Sequence, residues 1–133
     1  VLGGVQFVND SKGTSVGAVV RSLESFPGPV ILIAGGRDKG SDFTPLRPVV
    51  EGRVKALVLI GEAREKIAKA LAGAAPVHAA DSMEEAVRRA RALAAPGDVV
   101  LLSPACASFD MFRDFEDRGR AFAAAVRGLT GGR

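Results

Sequence analysis

The run Val30-Ile31-Leu32-Ile33-Ala34-Gly35-Gly36 decides the fold. Five apolar residues follow the breaker Pro27-Gly28-Pro29, and two glycines close the run. No polar residue alternates within it, so neither face is left to water. Such a run reads as a strand covered on both sides. Ala56-Leu57-Val58-Leu59-Ile60, closed by Gly61, repeats the pattern, as does Val99-Val100-Leu101-Leu102, closed by Ser103-Pro104. Two shorter apolar stretches, 5–8 and 76–79, read as further strands.

Helical stretches lie between these runs. Residues 14–25 place Val16, Val19, Val20 and Leu23 on one face. Residues 64–72 turn Ile67, Ala68 and Leu71 inward. The stretch 81–94 opens on Asp81-Ser82, which suits an N-cap, with Glu84-Glu85 in the first turn. A final helix is expected over 112–127, before a glycine-rich tail. Residues 45–51 read as a short helix that Pro48 should shorten or distort. Strands alternating with helices imply βαβ units and a mainly parallel sheet. The expected class is therefore α/β: a single-domain, three-layer αβα sandwich on a mostly parallel, Rossmann-like sheet.

Composition narrows the function classes. A chain of 133 residues, 47% hydrophobic and 25% charged, fits one globular domain. No apolar run approaches the roughly 20 residues of a membrane span, and the start VLGGVQFVND shows no secretory leader. One cysteine excludes an internal disulfide and a multi-cysteine zinc site, and one histidine leaves little for a metal cluster. The net charge of +3 is interspersed, and Trp and Tyr are absent, so no nucleic-acid surface is indicated.

Three polar segments exceed what packing requires. They are Asn9-Asp10-Ser11-Lys12-Gly13-Thr14, the run from Gly35 to Phe43, and the run from Ser103 to Asp110. Each follows the carboxyl end of an expected strand and leads into a helix. Ligands of open α/β sheets bind in the crevice outside those ends, where helix N-termini offer N–H groups to anions.

The first segment has two readings. As a turn, Asn9, Asp10 and Ser11 bend the chain and Thr14 caps the helix. As a site, Lys12 meets a phosphate and Asp10 a hydroxyl. Composition alone favours the turn. In the second, three glycines beside Arg37 and Lys39 favour an anion site over a solvated loop. Asp38 and Asp42 could act as a carboxylate pair, but a capping role for Asp42 is simpler. The spacing is not that of a Walker A loop, and the chain has no GxGxxG fingerprint. In the third, Ser103 and Ser108 can donate hydrogen bonds to a carboxylate. A nucleophilic Cys106 would need His78 from another strand, so a structural cysteine is preferred. Phe43, Phe109, Phe112 and Phe115 suit core or pocket wall.

Asn9-Asp10-Ser11-Lys12-Gly13-Thr14, Gly35-Gly36-x-x-Lys39-x-x-Asp42-Phe43 and the run from Leu102 to Asp110 together resemble the C-terminal domain of the Mur ligases. The resemblance extends from Val5 to about Leu129. The Arg37-Asp38-Lys39-Gly40 form of the second loop is similar to that of the members that add D-glutamate. The Asp-Asn-Pro-Arg motif of the members that add the third amino acid is absent.

The resemblance implies that residues 1–133 form a glutamate ligase domain. The family's N-terminal UDP-sugar domain and central ATPase domain, with its P-loop and most magnesium ligands, lie outside this chain. It implies a cytoplasmic, ATP-dependent and ADP-forming ligase of peptidoglycan synthesis, expected as a monomer. That enzyme joins D-glutamate to UDP-N-acetylmuramoyl-L-alanine. Thr14, Lys39, Ser108 and the backbone N–H of Phe109 would hold D-glutamate, with Phe115 shaping the wall. Asp10 would reach the nucleotide ribose on closure, and Lys12 would lie near the phosphates. No catalytic residue and no metal ligand is expected here. ATP and Mg2+ would be held mainly by the central domain, so the domain alone is expected to fold and not to catalyse. A folylpolyglutamate-synthase-like C-terminal domain fits the motifs less well. A standalone small-anion module is the alternative of another class.

Overall fold

A computed structural model describes residues 4–10, 16–26, 29–36, 42–103 and 115–131. In chain order the elements begin with β1 (Gln6–Asn9), α1 (Val16–Glu24) and β2 (Val30–Gly35). A single 3-10 turn (Thr44–Leu46) then leads into α2 (Arg47–Arg53) and β3 (Val54–Ile60). They continue with α3 (Arg64–Ala70), β4 (Val77–Ala79), α4 (Met83–Leu93), β5 (Val99–Leu102) and α5 (Phe115–Gly131).

The five strands form one sheet in the order β1-β5-β2-β3-β4, and each neighbouring pair is parallel. The expected α/β sandwich is therefore present, and its sheet is wholly parallel among the described residues. Strand alternation sorts the core into two layers. Val30, Leu32 and Ala34 of β2 pack with Leu57 and Leu59 of β3 beneath α1, α2 and α3. Ile31 and Ile33 pack with Val58 and Ile60 on the other face, beneath Ala86, Val87 and Ala90 of α4 and Phe122 of α5. This two-sided burial is why the strand runs are apolar at consecutive positions.

The stretch 45–51 is short and interrupted, as expected: a 3-10 turn over Thr44–Leu46 precedes an α2 of seven residues. Pro45 lies in the opening of the 3-10 turn and Pro48 in the first turn of α2, where a helix does not need the missing N–H. The helix expected over 64–72 ends at Ala70, ahead of Gly73 at φ 81°. The last helix runs beyond 127 to Gly131. A glycine weakens a helix by only about 1 kcal/mol, and α5 is already anchored through the buried Phe122.

The amino edge of the sheet carries a buried clamp. Asp98, just before β5, is 5% exposed and accepts from the Lys55 ammonium at 2.8 Å and from the Ala95 N–H at 2.8 Å. Lys55 sits on β3, so the pair spans β2 and ties two non-adjacent strands. Burial works to raise the Asp98 pKa, but the Ala95 N–H and the Lys55 ammonium hold the carboxyl below its usual value.

Candidate functional site

Strand order places the site. β5 lies between β1 and β2, with Leu102 in register with both Asn9 and Ile33. The helices after β1 and β2 bury residues on one face of the sheet, whereas α5, which follows β5, packs on the other. The chain thus leaves neighbouring strands toward opposite faces on both sides of β5. A crevice opens where parallel strands diverge in this way. The three polar segments of the sequence emerge at this point, from the carboxyl ends of three adjacent strands.

Asp10 sits at the mouth of the first segment. Its backbone N–H donates to Leu102 O at 2.8 Å, extending the pairing of β1 with β5 by one bond. Its Oδ2 accepts from the hydroxyl of Ser103 at 2.9 Å and from that of Ser22 on α1. Ser103 is fully buried, and its own N–H donates to Ile33 O at 3.2 Å. Asn9 completes the rim, its side-chain amide donating to Gly119 O of α5 at 3.3 Å. Hydrogen bonds thus tie together β1, β5, β2, α1 and α5.

The second segment leaves β2 through Gly35 and Gly36. Gly35 holds φ 124°, and a Cβ there would lie 1.9 Å from Ile60 O. Only glycine lets β2 end against β3 in this way. Gly36 O accepts from Ala63 N at 2.9 Å, fixing that foot of the loop. The other foot is an Asx turn, in which Asp42 Oδ1 accepts from Thr44 N at 3.0 Å and Thr44 Oγ1 at 2.6 Å. The Thr44 hydroxyl and then its N–H hold the Asp42 carboxyl below its usual pKa. Asp42 is thus engaged in a local turn, while the N-cap of the 3-10 turn is Phe43, without a side-chain cap. Phe43 is 1% exposed and belongs to the core, with the Lys66 ammonium 5.6 Å from its ring centroid.

Of the residues singled out from the sequence, Asp10 is described in full. Lys12, Thr14, Lys39, Asp38, Cys106, Ser108 and Phe109 lie outside the described residues, as do Arg37 and Phe112. Phe115 opens α5, and only its backbone is described. His78 lies on β4, at the far edge of the sheet from β1, so the sheet gives it no place beside the crevice. Ser103 needs a correction. Its hydroxyl, expected to serve a ligand carboxylate, is directed to the protein's own Asp10. No cluster of three or more metal-ligating side chains occurs among the described residues, and no described helix is long and apolar enough to cross a membrane.

The family model described as "Mur ligase, glutamate ligase domain" matches residues 1–106. The chain belongs to the Mur ligase family.

Relatives in this family are similar along nearly the whole chain. A protein of Geobacter sp. (strain M21) is 56% identical over 126 residues, 95% of this chain and 28% of its own length. One of Salinibacter ruber is 54% identical over 126 residues, covering 94% of this chain and 27% of its own length. One of Marinobacter nauticus is 56% identical over 131 residues, covering 96% of this chain and 29% of its own length. Each is named UDP-N-acetylmuramoylalanine–D-glutamate ligase. This Mur ligase chain therefore spans little more than a quarter of the relatives it matches.

Two residues of this region escaped the sequence reading. Ser22 looked like an ordinary polar position between Val19 and Leu23, and nothing in its spacing marks a partner twelve residues back. Arg118 is fully buried on α5. A signal for it exists: Phe115, Arg118, Phe122 and Ala125 recur at helical spacing, so Arg118 holds a core-face position. A charge there points to a structural or binding task.

Proposed function

We propose that this chain is the D-glutamate-binding domain of an ATP-dependent ligase that joins D-glutamate to UDP-N-acetylmuramoyl-L-alanine. The observation that supports it most is the convergence of the three motif-bearing loops at the carboxyl ends of β1, β5 and β2. Their motifs come from distant parts of the chain and share no other reason to meet.

D-glutamate brings two carboxylates, which call for cations and N–H or O–H donors. Lys39 pairs with one of them. Thr14, Ser108 and the Phe109 N–H supply hydrogen bonds, and Phe115 closes the wall. Asp10 meets a ribose hydroxyl of ATP, and Lys12 lies near its phosphates. In the reaction, ATP transfers its terminal phosphoryl group to the carboxylate of UDP-N-acetylmuramoyl-L-alanine, giving an acyl phosphate and ADP. The amine of D-glutamate attacks the acyl carbon, phosphate leaves, the amine loses a proton, and an amide remains. The domain's contribution is to hold the amine in line for attack and to exclude water on closure. Mg2+, when bound beside the phosphates, neutralises their charge. On this reading its ligands come mainly from the enzyme's central domain.

The setting that follows is cytoplasmic peptidoglycan synthesis, and with it cell shape and division, by a monomeric enzyme. The test is an assay of the full-length protein for phosphate release. The reading requires release to depend on D-glutamate and UDP-N-acetylmuramoyl-L-alanine together, and to vanish when residues 1–133 are supplied alone. Equal activity with L-glutamate on a folate acceptor would favour the folylpolyglutamate-type reading.

A further inference from the structure

Asp10 is held by more donors than a turn needs. Its Oδ2 accepts from Ser103 Oγ at 2.9 Å and from Ser22 Oγ. Among the described residues, its Oδ1 accepts no hydrogen bond. The two hydroxyls come from different elements, α1 and the end of β5, and each is fixed in turn. Ser103 is buried, with its N–H on Ile33 O. Ser22 stands on α1 between the buried Val19 and Leu23.

We propose that Ser22 and Ser103 are positioning residues that grip the Asp10 carboxylate by Oδ2 and present Oδ1 to a hydroxyl donor of the nucleotide. The inference rests on the reading that Asp10 meets the ribose. A carboxylate has two equivalent oxygens and only accepts hydrogen bonds. Two donors on one oxygen, with the backbone pinned to Leu102 O at 2.8 Å, leave the group little freedom to rotate. The other oxygen is then set before the nucleotide arrives, and less rotational freedom is lost on binding. The acceptor presented this way suits a neutral hydroxyl donor, which is the chemistry of a ribose edge.

The test uses the full-length ligase and compares ATP with 2′,3′-dideoxy-ATP. Preference for ATP measures the hydroxyl contact itself, which a loss of folding alone would not move. Asp10→Asn should abolish most of that preference. Ser22→Ala and Ser103→Ala should each raise the KM for ATP about 2- to 10-fold, the range set by freezing one side chain. The double variant should lose most of the preference. The KM for D-glutamate should stay near wild type, the melting temperature should fall by no more than a few degrees, as the loss of two hydrogen bonds implies, and Ser22→Thr, which keeps the hydroxyl, should retain the preference. Loss of preference in Asp10→Asn with full preference in the double serine variant would overturn the positioning role and leave the nucleotide contact standing. Full preference in Asp10→Asn would overturn the contact and the positioning role with it. A uniform rise in KM for both substrates, with a larger fall in melting temperature, would reduce the serines to packing and overturn the proposal.

Discussion

Ser103 donates a hydrogen bond to Asp10 across 2.9 Å, although 93 positions separate them in the chain. That contact closes the first polar segment onto the third. It exists because β5 inserts between β1 and β2, bringing the last strand of the sheet beside the first. A buried hydroxyl beside a carboxylate is stable only when the two are paired, so the contact also fixes where β1 ends.

Lys39 carries the charge that the proposed D-glutamate seat requires. Lys39→Ala in the full-length ligase should weaken D-glutamate use about 10- to 100-fold, the scale of one hydrogen bond to a charged group. The melting temperature should not change, because a ligand-binding loop contributes little to the core. Steady-state kinetics in D-glutamate, at saturating ATP, reads the effect. Unchanged kinetics would remove Lys39 from the seat.

Gly35 has no tolerable replacement. Gly35→Ala would set a Cβ 1.9 Å from Ile60 O while keeping φ at 124°. The clash is with backbone, so β2 and β3 must separate. The expected loss is on the order of 3 kcal/mol or more, measured by urea unfolding. Gly52→Ala is the control, since a Cβ there meets nothing within 4 Å.

The Asp98–Lys55 clamp gives the domain an acid-sensitive contribution. The Asp98 carboxyl is held below its usual pKa in the folded protein, so the unfolded chain binds more protons as pH falls. The contribution is whole above the unfolded carboxylate pKa of about 4. It is lost as pH drops through the lower folded value. Asp98→Asn should lower stability at pH 7 by about 1–3 kcal/mol and flatten the acid limb of the stability curve. Thermal unfolding between pH 3 and pH 7 checks both. An unchanged acid limb would deny the clamp this role.

Ser82 caps α4 by accepting from Glu85 N at 3.1 Å, while Glu85 Oε1 accepts from Asp81 N at 2.8 Å. Ser82→Ala should cost about 1 kcal/mol of stability and leave ligase kinetics unchanged, since α4 follows the edge strand β4, away from the crevice. A change in the KM for ATP or D-glutamate would show that α4 communicates with the site.

The sheet was legible because its strands are buried on both faces. A run such as 30–34 has no polar interruption, and only a covered parallel strand makes that pattern economical. The Ser82 cap was legible because capping is local. The pairing of Ser22 and Ser103 with Asp10 was not, because it depends on strand order, and strand order is set by contacts between residues far apart in sequence. That the helix around Pro48 is short was legible, but where it starts was not. Proline breaks a helix interior but suits its first turn, and which applies depends on a boundary the 3-10 turn before it decides. Asp10 was picked out by its loop, yet its sequence neighbours say nothing about which oxygen is held.

The measurement closest to the central claim is the structure of the full-length ligase with D-glutamate bound. In that structure the two carboxylates of D-glutamate should lie within hydrogen-bond distance of Thr14, Lys39 and Ser108, beyond the carboxyl ends of β1, β2 and β5. D-glutamate seated elsewhere, or touching none of those three side chains, would contradict it.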